Sequence, residues 1–166
     1  MNNFRNKGAI GAILDEYEKA ILELIATIQD FSDFDLKTVI DAETKDEDCR
    51  SIQSILKHLV QSGYTYVVEI RKWLGEEIEY RDKEVFDNVD DYIIALTKMF
   101  NFNEALFSDH PNIQLEEYNL EKRMTVRWGQ NYDVEQLYEH AIVHILRHRR
   151  QIEKFKLKLS QSSTQH

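Results

Sequence analysis

Apolar residues recur along this chain at three- and four-residue spacing, and no stretch sustains the period-two alternation of a half-buried strand. The first such segment runs from about Gly8 to Asp30, with Ile10, Ile13, Leu14, Tyr17, Ile21, Leu24, Ile25 and Ile28 at helical spacing. A second runs from about Asp48 to Leu74. A third runs from about Asn88 to Leu106 and carries Tyr92, Ile93, Leu96, Met99, Phe100 and Phe102. A fourth runs from about Asp133 to Leu159, with Asp133 as its N-cap and Gln136 at the capping-box position. Five Gly and one Pro are few helix breakers for 166 residues, as long helices require.

The pattern predicts an all-α fold, a four-helix bundle, in a single domain spanning 1–166 with a polar, frayed tail at 160–166. The connections are long: 31–47, then about a dozen residues, then 107–132. Such links suit crossover connections rather than a simple up-down-up-down bundle. The last link holds His110-Pro111 and Trp128-Gly129, and Arg123 to Trp128 reads as a short strand. It is either the rim of a site or a passive connection. His110, before the only Pro, is expected to lie exposed in a turn.

Charge narrows the classes of partner. Asp and Glu total 30 against 21 Lys and Arg, a net charge of −9, so neither nucleic acid nor an anionic membrane is an expected partner. No apolar run approaches the roughly 20 residues that a bilayer requires, and Gly8 to Leu14 is too short for a signal peptide. Cys49 is the only cysteine, which suits a reducing cytoplasm. Its neighbours Glu47 and Asp48 oppose a thiolate, so it reads as structural or incidental. The basic second half of the fourth helix, from Arg147 to Lys158, reads as a solvated face that complements the helix C-terminus.

The histidines carry the chemistry. His140, His144 and His148 are spaced four apart on the fourth helix, and side chains at i and i+4 stack on nearly one face. On the helical wheel, Val134, Leu137, Ala141, Ile145, Ile152, Phe155 and Leu159 form the apolar stripe. His148 falls near its centre, His144 and Gln151 at its edge, and His140 further round. A core-facing imidazole must find a partner, since an unpaired buried polar group costs about 1–3 kcal/mol. A Tyr or an acid would serve as well as a metal ion. On the second helix His58 sits on a strip with Ser51, Ser54, Ser62, Thr65 and Glu69, small side chains that leave either a close contact or a cavity. If His58, His144 and His148 meet, three imidazoles can bind a divalent metal ion with a fourth position open, as in catalytic zinc sites.

At these residues the chain resembles the DinB/YfiT-like superfamily of four-helix metal-binding proteins. Glu139 to Ile152 is similar to that family's His-x3-His-Arg-x-Gln pattern, and Ser51 to Val60 to the segment that donates its first ligand. The resemblance implies His58, His144 and His148 as metal ligands and Arg149 as the family's Arg, with Arg150 standing where Gly is usual. His140 is similar to an additional His of some members. The resemblance further implies an up-down-down-up bundle, often a homodimer, with zinc, nickel or another divalent ion. Some relatives activate a low-molecular-weight thiol for transfer to an electrophilic small-molecule substrate. Others resemble hydrolases or isomerases.

Three readings remain open: a metal-dependent enzyme activating a thiol or water, a non-catalytic metal-stabilised, stress-associated bundle, and a helical interaction module with satisfied core histidines. In the first, His140 and Gln151 are second-shell or substrate contacts, and Tyr64, Glu69 and Trp128 line the pocket.

Overall fold

A computed structural model describes residues 4–163. Among them are five α-helices: α1 (Gly8–Ile28), α2 (Asp33–Lys37), α3 (Ile52–Trp73), α4 (Val89–Asp109) and α5 (Val134–Ser163). Single 3-10 turns lie at Glu47–Cys49 and Leu120–Lys122, and two short strands, β1 (Met124–Thr125) and β2 (Asn131–Tyr132), form a hairpin. The fold is all-α, as the periodicity predicts.

Capping sets the boundaries. The Gln136 backbone N–H donates to Asp133 Oδ1 at 2.8 Å and the Asp133 N–H to Gln136 Oε1 at 3.3 Å, so the predicted capping box starts α5. The helix then continues past Leu159 to Ser163, so the described part of the polar tail is helical; His166 lies outside the described residues. The α3 helix begins at Ile52 rather than Asp48 because Ser51 and Ser54 exchange side-chain hydrogen bonds with each other's N–H groups, both at 3.0 Å. The short α2 inside the first long link went unpredicted. A Ser32–Asp35 capping box starts it, and Leu36 anchors it in the core with no exposed surface.

The core is shared by the four long helices. Tyr17, Leu24, Ile55, Leu56, Leu59, Tyr92, Leu96, Leu137 and Ile152 are buried, and each such Leu or Ile contributes about 1.5–3 kcal/mol. Helix α1 packs against α4 and α5, and α3 packs against the same two. Arg5, just before α1, ties it to α4 through Glu104 at 2.8 Å and to its own first turns through Asp15 at 2.7 Å. The basic half of α5 grips α1: Arg149 pairs with Glu23, and Lys156 reaches Asp30 at 4.0 Å.

The last link is structured. Met124 pairs with Tyr132 and Thr125 with Asn131, so the expected strand is shorter than Arg123 to Trp128 and has a partner. Gly129 at φ +86° makes the turn between them. His110 is not simply exposed. It is half-buried, and its Nε2 meets Glu76 Oε1 at 2.5 Å while Glu76 also pairs with Arg71. No described helix is long and apolar enough to cross a membrane.

Helices α3 and α4 approach closely at Gly63. A Cβ on Gly63 would stand 2.2 Å from Met99 Sδ, and Asn103 Nδ2 donates to the Gly63 carbonyl at 3.1 Å. Met99 is fully buried and Tyr17 Oη donates to its sulfur at 3.6 Å, so it has little room to retreat. Gly63→Ala is therefore expected to destabilise the protein by about 1–3 kcal/mol through overpacking. A denaturant midpoint checks this, and Met99→Ala in the same chain should recover part of the loss. An unchanged midpoint in Gly63→Ala would show that the two helices are not in close contact there.

Candidate functional site

Helix α3 brings His58 to the side of α5 that carries His144 and His148. His58 Nε2 lies 3.0 Å from His144 Nε2, and His148 Nε2 lies 3.1 Å from the same atom. One ring nitrogen from each of the three falls within 4.8 Å of the other two. His148 is 4% exposed and His144 7%, in keeping with their places on the helical wheel. Among the described residues no cysteine or carboxylate joins this group.

Each imidazole is tied on its other nitrogen. His58 Nδ1 faces Asp48 Oδ2 at 3.3 Å. His148 Nδ1 faces Gln151 Oε1 at 3.1 Å, and Gln151 donates its amide N–H to the Cys49 carbonyl at 3.4 Å, which turns the amide oxygen towards His148. His144 Nδ1 faces the Tyr66 hydroxyl at 3.0 Å. Carboxylate and amide oxygens only accept, so in neutral His58 and His148 the proton belongs on Nδ1 and the lone pair on Nε2. Two lone pairs then point at His144 Nε2. His144 can share one N–H between them while Tyr66 donates to its Nδ1. Alternatively it can present a third lone pair and donate from Nδ1 to Tyr66. Tyr66 serves either tautomer, because burial raises its phenol and keeps it protonated.

Burial also sets the charge. Desolvation, followed by the neighbouring His148 and His58, pushes His144 from its ordinary 6.5 down to about 2. Burial lowers His58 against the pull of Asp48, and lowers His148 against its bond to Gln151. Asp48 itself loses solvation, yet Lys83, His58 and Lys57 outweigh that and hold its carboxyl below the usual value. All three imidazoles are therefore neutral at pH 7, the form in which they ligate metal. Two imidazoles on one tetrahedral zinc stand about 3.3 Å apart, given Zn–N bonds of about 2.0–2.1 Å. The donor set thus fits a divalent ion in type and protonation, the two distances to His144 Nε2 are close to that spacing, and Asp48 and Gln151 provide the outer hydrogen bonds that orient such ligands.

A cavity of about 500 Å³ opens beside His58 and His144, bordered by Tyr66, Trp128 and His140. A second, of about 400 Å³, opens on the His148 side beside Cys49 and Gln151. His140 stands apart from the trio. It stacks between His144 and Trp128 at 6.1 and 6.2 Å, and its Nδ1 meets Tyr132 Oη at 3.3 Å. Trp128 lines the cavity as expected. Tyr64 does not: it packs under Arg81 and against Phe102 on another face. Glu69 is not a lining residue either. It is buried and holds the hairpin, accepting from Tyr80 Oη at 2.9 Å and from the Arg127 N–H at 3.2 Å. The strip of small residues divides: Ser51 and Ser54 cap α3, while Ser62 and Thr65 border the cavity.

Sequence reasoning missed Asp48 and Tyr66. The second lies on the apolar stripe of α3, where a hydroxyl gives no periodic signal. Cys49 behaves as expected: burial raises its thiol, and its Sγ donates to Asp46 Oδ2 at 3.3 Å. Among known proteins, no family model and no curated protein matches the chain.

The lowered imidazoles set a pH dependence. The folded metal-free protein keeps them neutral, whereas the unfolded chain protonates them below the ordinary 6.5. Their contribution to stability is therefore fully present above that value and is lost as the pH falls through it. Thermal melts of metal-free protein at pH 7.5 and 5.0 should show a lower Tm at pH 5.0, and His144→Gln should flatten the difference. An equal Tm at both values would mean the imidazoles are not buried neutral.

Proposed function

We propose that this chain is a DinB/YfiT-like four-helix bundle that holds a divalent metal ion, zinc or nickel, on His58, His144 and His148. In this reading it is an enzyme that activates a low-molecular-weight thiol or water for attack on an electrophilic small molecule. The observation that carries the reading is the convergence of three neutral Nε2 atoms, each with its opposite nitrogen tied to a separate partner.

Helix contacts support the up-down-down-up order. Arg5 ahead of α1 meets Glu104 late in α4, whereas Lys156 late in α5 meets Asp30 just past the end of α1. Along α3 and α4, Gln53 pairs with Tyr92 and Arg71 with Asp109, in rising order. Along α3 and α5 the order falls, with His58 against His148 and Tyr66 against His140. The resemblance of the α5 motif adds a homodimer to the proposal, and the single cysteine adds a cytoplasmic location.

When bound, the ion supplies Lewis acidity, lowering the pKa of a ligated water or thiol. The chain's residues do the rest. Asp48 and Gln151 hold two imidazoles with Nε2 facing inward, and Tyr66 accommodates the tautomer of the third. His140, beside the cavity with its Nδ1 on Tyr132, presents Nε2 as a proton acceptor or substrate contact. A second reading, a metal-stabilised bundle without turnover, uses the same ligands. The absence of a fourth protein donor among the described residues and the adjoining cavities favour an open coordination position and hence the enzyme.

Elemental analysis of protein equilibrated with micromolar zinc or nickel tests this. One ion per chain is expected, with His58→Ala and His144→Ala unloaded and the melting temperature falling on chelation. Asp48→Asn should keep the ligands but weaken metal affinity by about 10–100-fold. Thiol conjugation or hydrolysis that disappears with chelator separates the enzyme from the inert bundle. A protein that takes up no metal contradicts both.

A further inference from the structure

We propose that the cavity beside His58 and His144 is an oxyanion-binding site for a small organic acid. The acid's carboxylate or phosphate lies against Arg127 and Arg147, and its apolar part lies against Trp128 and Tyr66. The claim deepens the enzyme reading above, since it names the class of substrate the site takes.

The first observation is charge. The chain carries −9 overall, yet this cavity is lined by Lys83, Arg127 and Arg147 with Asp48 as its one carboxylate. That carboxylate is already engaged by Lys83 at 3.0 Å, Lys57 at 3.6 Å and His58 at 3.3 Å. A cationic recess in an acidic protein concentrates anions at that spot.

The second observation is pairing. Five of the nine arginines pair with a carboxylate: Arg5, Arg50, Arg71, Arg123 and Arg149. Arg81, Arg127, Arg147 and Arg150 form no ion pair among the described residues, and of these only Arg127 and Arg147 border this cavity; Arg147 also borders the cavity on the His148 side and a further one, of about 570 Å³, beside His140 and His144. Both guanidiniums keep their forked N–H donors available for a ligand oxyanion.

The third observation is positioning. The Arg127 backbone N–H is held by the buried Glu69 carboxylate, and its guanidinium lies 4.4 Å from the centre of the Tyr80 ring, whose hydroxyl donates to the same Glu69. A cation stacked on a ring loses less freedom on binding than one waving in solvent. Next to it, Trp128 and Tyr66 meet edge-to-face at 5.9 Å and supply an apolar wall.

The test uses full-length, metal-free protein, desalted after chelation, so that no ion on the imidazoles contributes. The indole N–H resonance of Trp128, identified by its loss in Trp128→Phe, reads binding of phenylacetate, phenyl phosphate and the neutral phenylacetamide. At least one of the two acids is expected to shift it saturably, with the amide weaker by ~10-fold or more. The tighter of the two acids identifies the head group. Arg147→Gln and Arg127→Gln should each weaken the acid by ~10-fold, whereas Arg150→Gln, outside this cavity, should not. Arg127 and Arg147 are both exposed, so both variants should keep the fold.

Equal binding of acid and amide, no binding of either acid at millimolar concentration, or an equal loss in Arg150→Gln overturns the proposal. Metal content measured in parallel keeps the two claims apart. Arg147→Gln should load as wild type does, and a chain that binds the acid but no metal defeats only the metal reading.

Discussion

Imidazole lone pairs aimed at one point repel unless a proton or a cation lies between them. His58 and His148 have their other nitrogens committed to Asp48 and Gln151, which leaves both inward nitrogens as acceptors. Without metal, a single N–H on His144 must serve both neighbours at 3.0 and 3.1 Å. Protonating an imidazole would add donors, but burial opposes the charge and holds His144 far below its ordinary value. The cluster is therefore short of positive charge, with His144 and His148 both buried. A divalent cation would satisfy all three acceptors at once, with His144 in the tautomer that donates its Nδ1–H to the Tyr66 hydroxyl oxygen.

The fold supplies this arrangement through few contacts. Helices α3 and α5 lie side by side, so one residue from the first reaches two from the second that stack four apart. The capping boxes at Ser51 and Asp133 set where each helix begins and hence which faces meet. Glu69 fastens the hairpin across the open side, bringing Trp128 and Arg127 to the rim. The polar groups that matter are held by side chains on rigid helices, while the hairpin shapes access.

Much of this was legible from residue order, and the exceptions have physical reasons. The four long helices follow from 3.6-residue periodicity, and the burial of His148 and His144 follows from their wheel positions. The outer partners were not legible. Asp48 belongs to a 3-10 turn fixed by Asp46, and its approach to His58 depends on the turn that Ser51 enforces. Tyr66 reads as core, because a hydroxyl among apolar neighbours leaves the period unchanged. Helix α2 is too short for periodicity to register, although Ser32 and Asp35 carry a capping signal. Arg147 reads as one more cation of a solvated face; only the placement of α5 against α3 turns it to the cavities. Glu69 shares a helix face with His58, but a carboxylate's choice between ligand and hairpin depends on loop geometry that spacing does not encode.

The most direct test of the central claim is X-ray absorption at the metal edge of zinc-loaded protein. Three imidazole nitrogens at about 2.0–2.1 Å, plus one light scatterer that changes when a thiol or an anion is added, are the predicted shell. A shell containing the Cys49 sulfur, a fixed protein carboxylate as fourth ligand, or fewer than three imidazoles would contradict it.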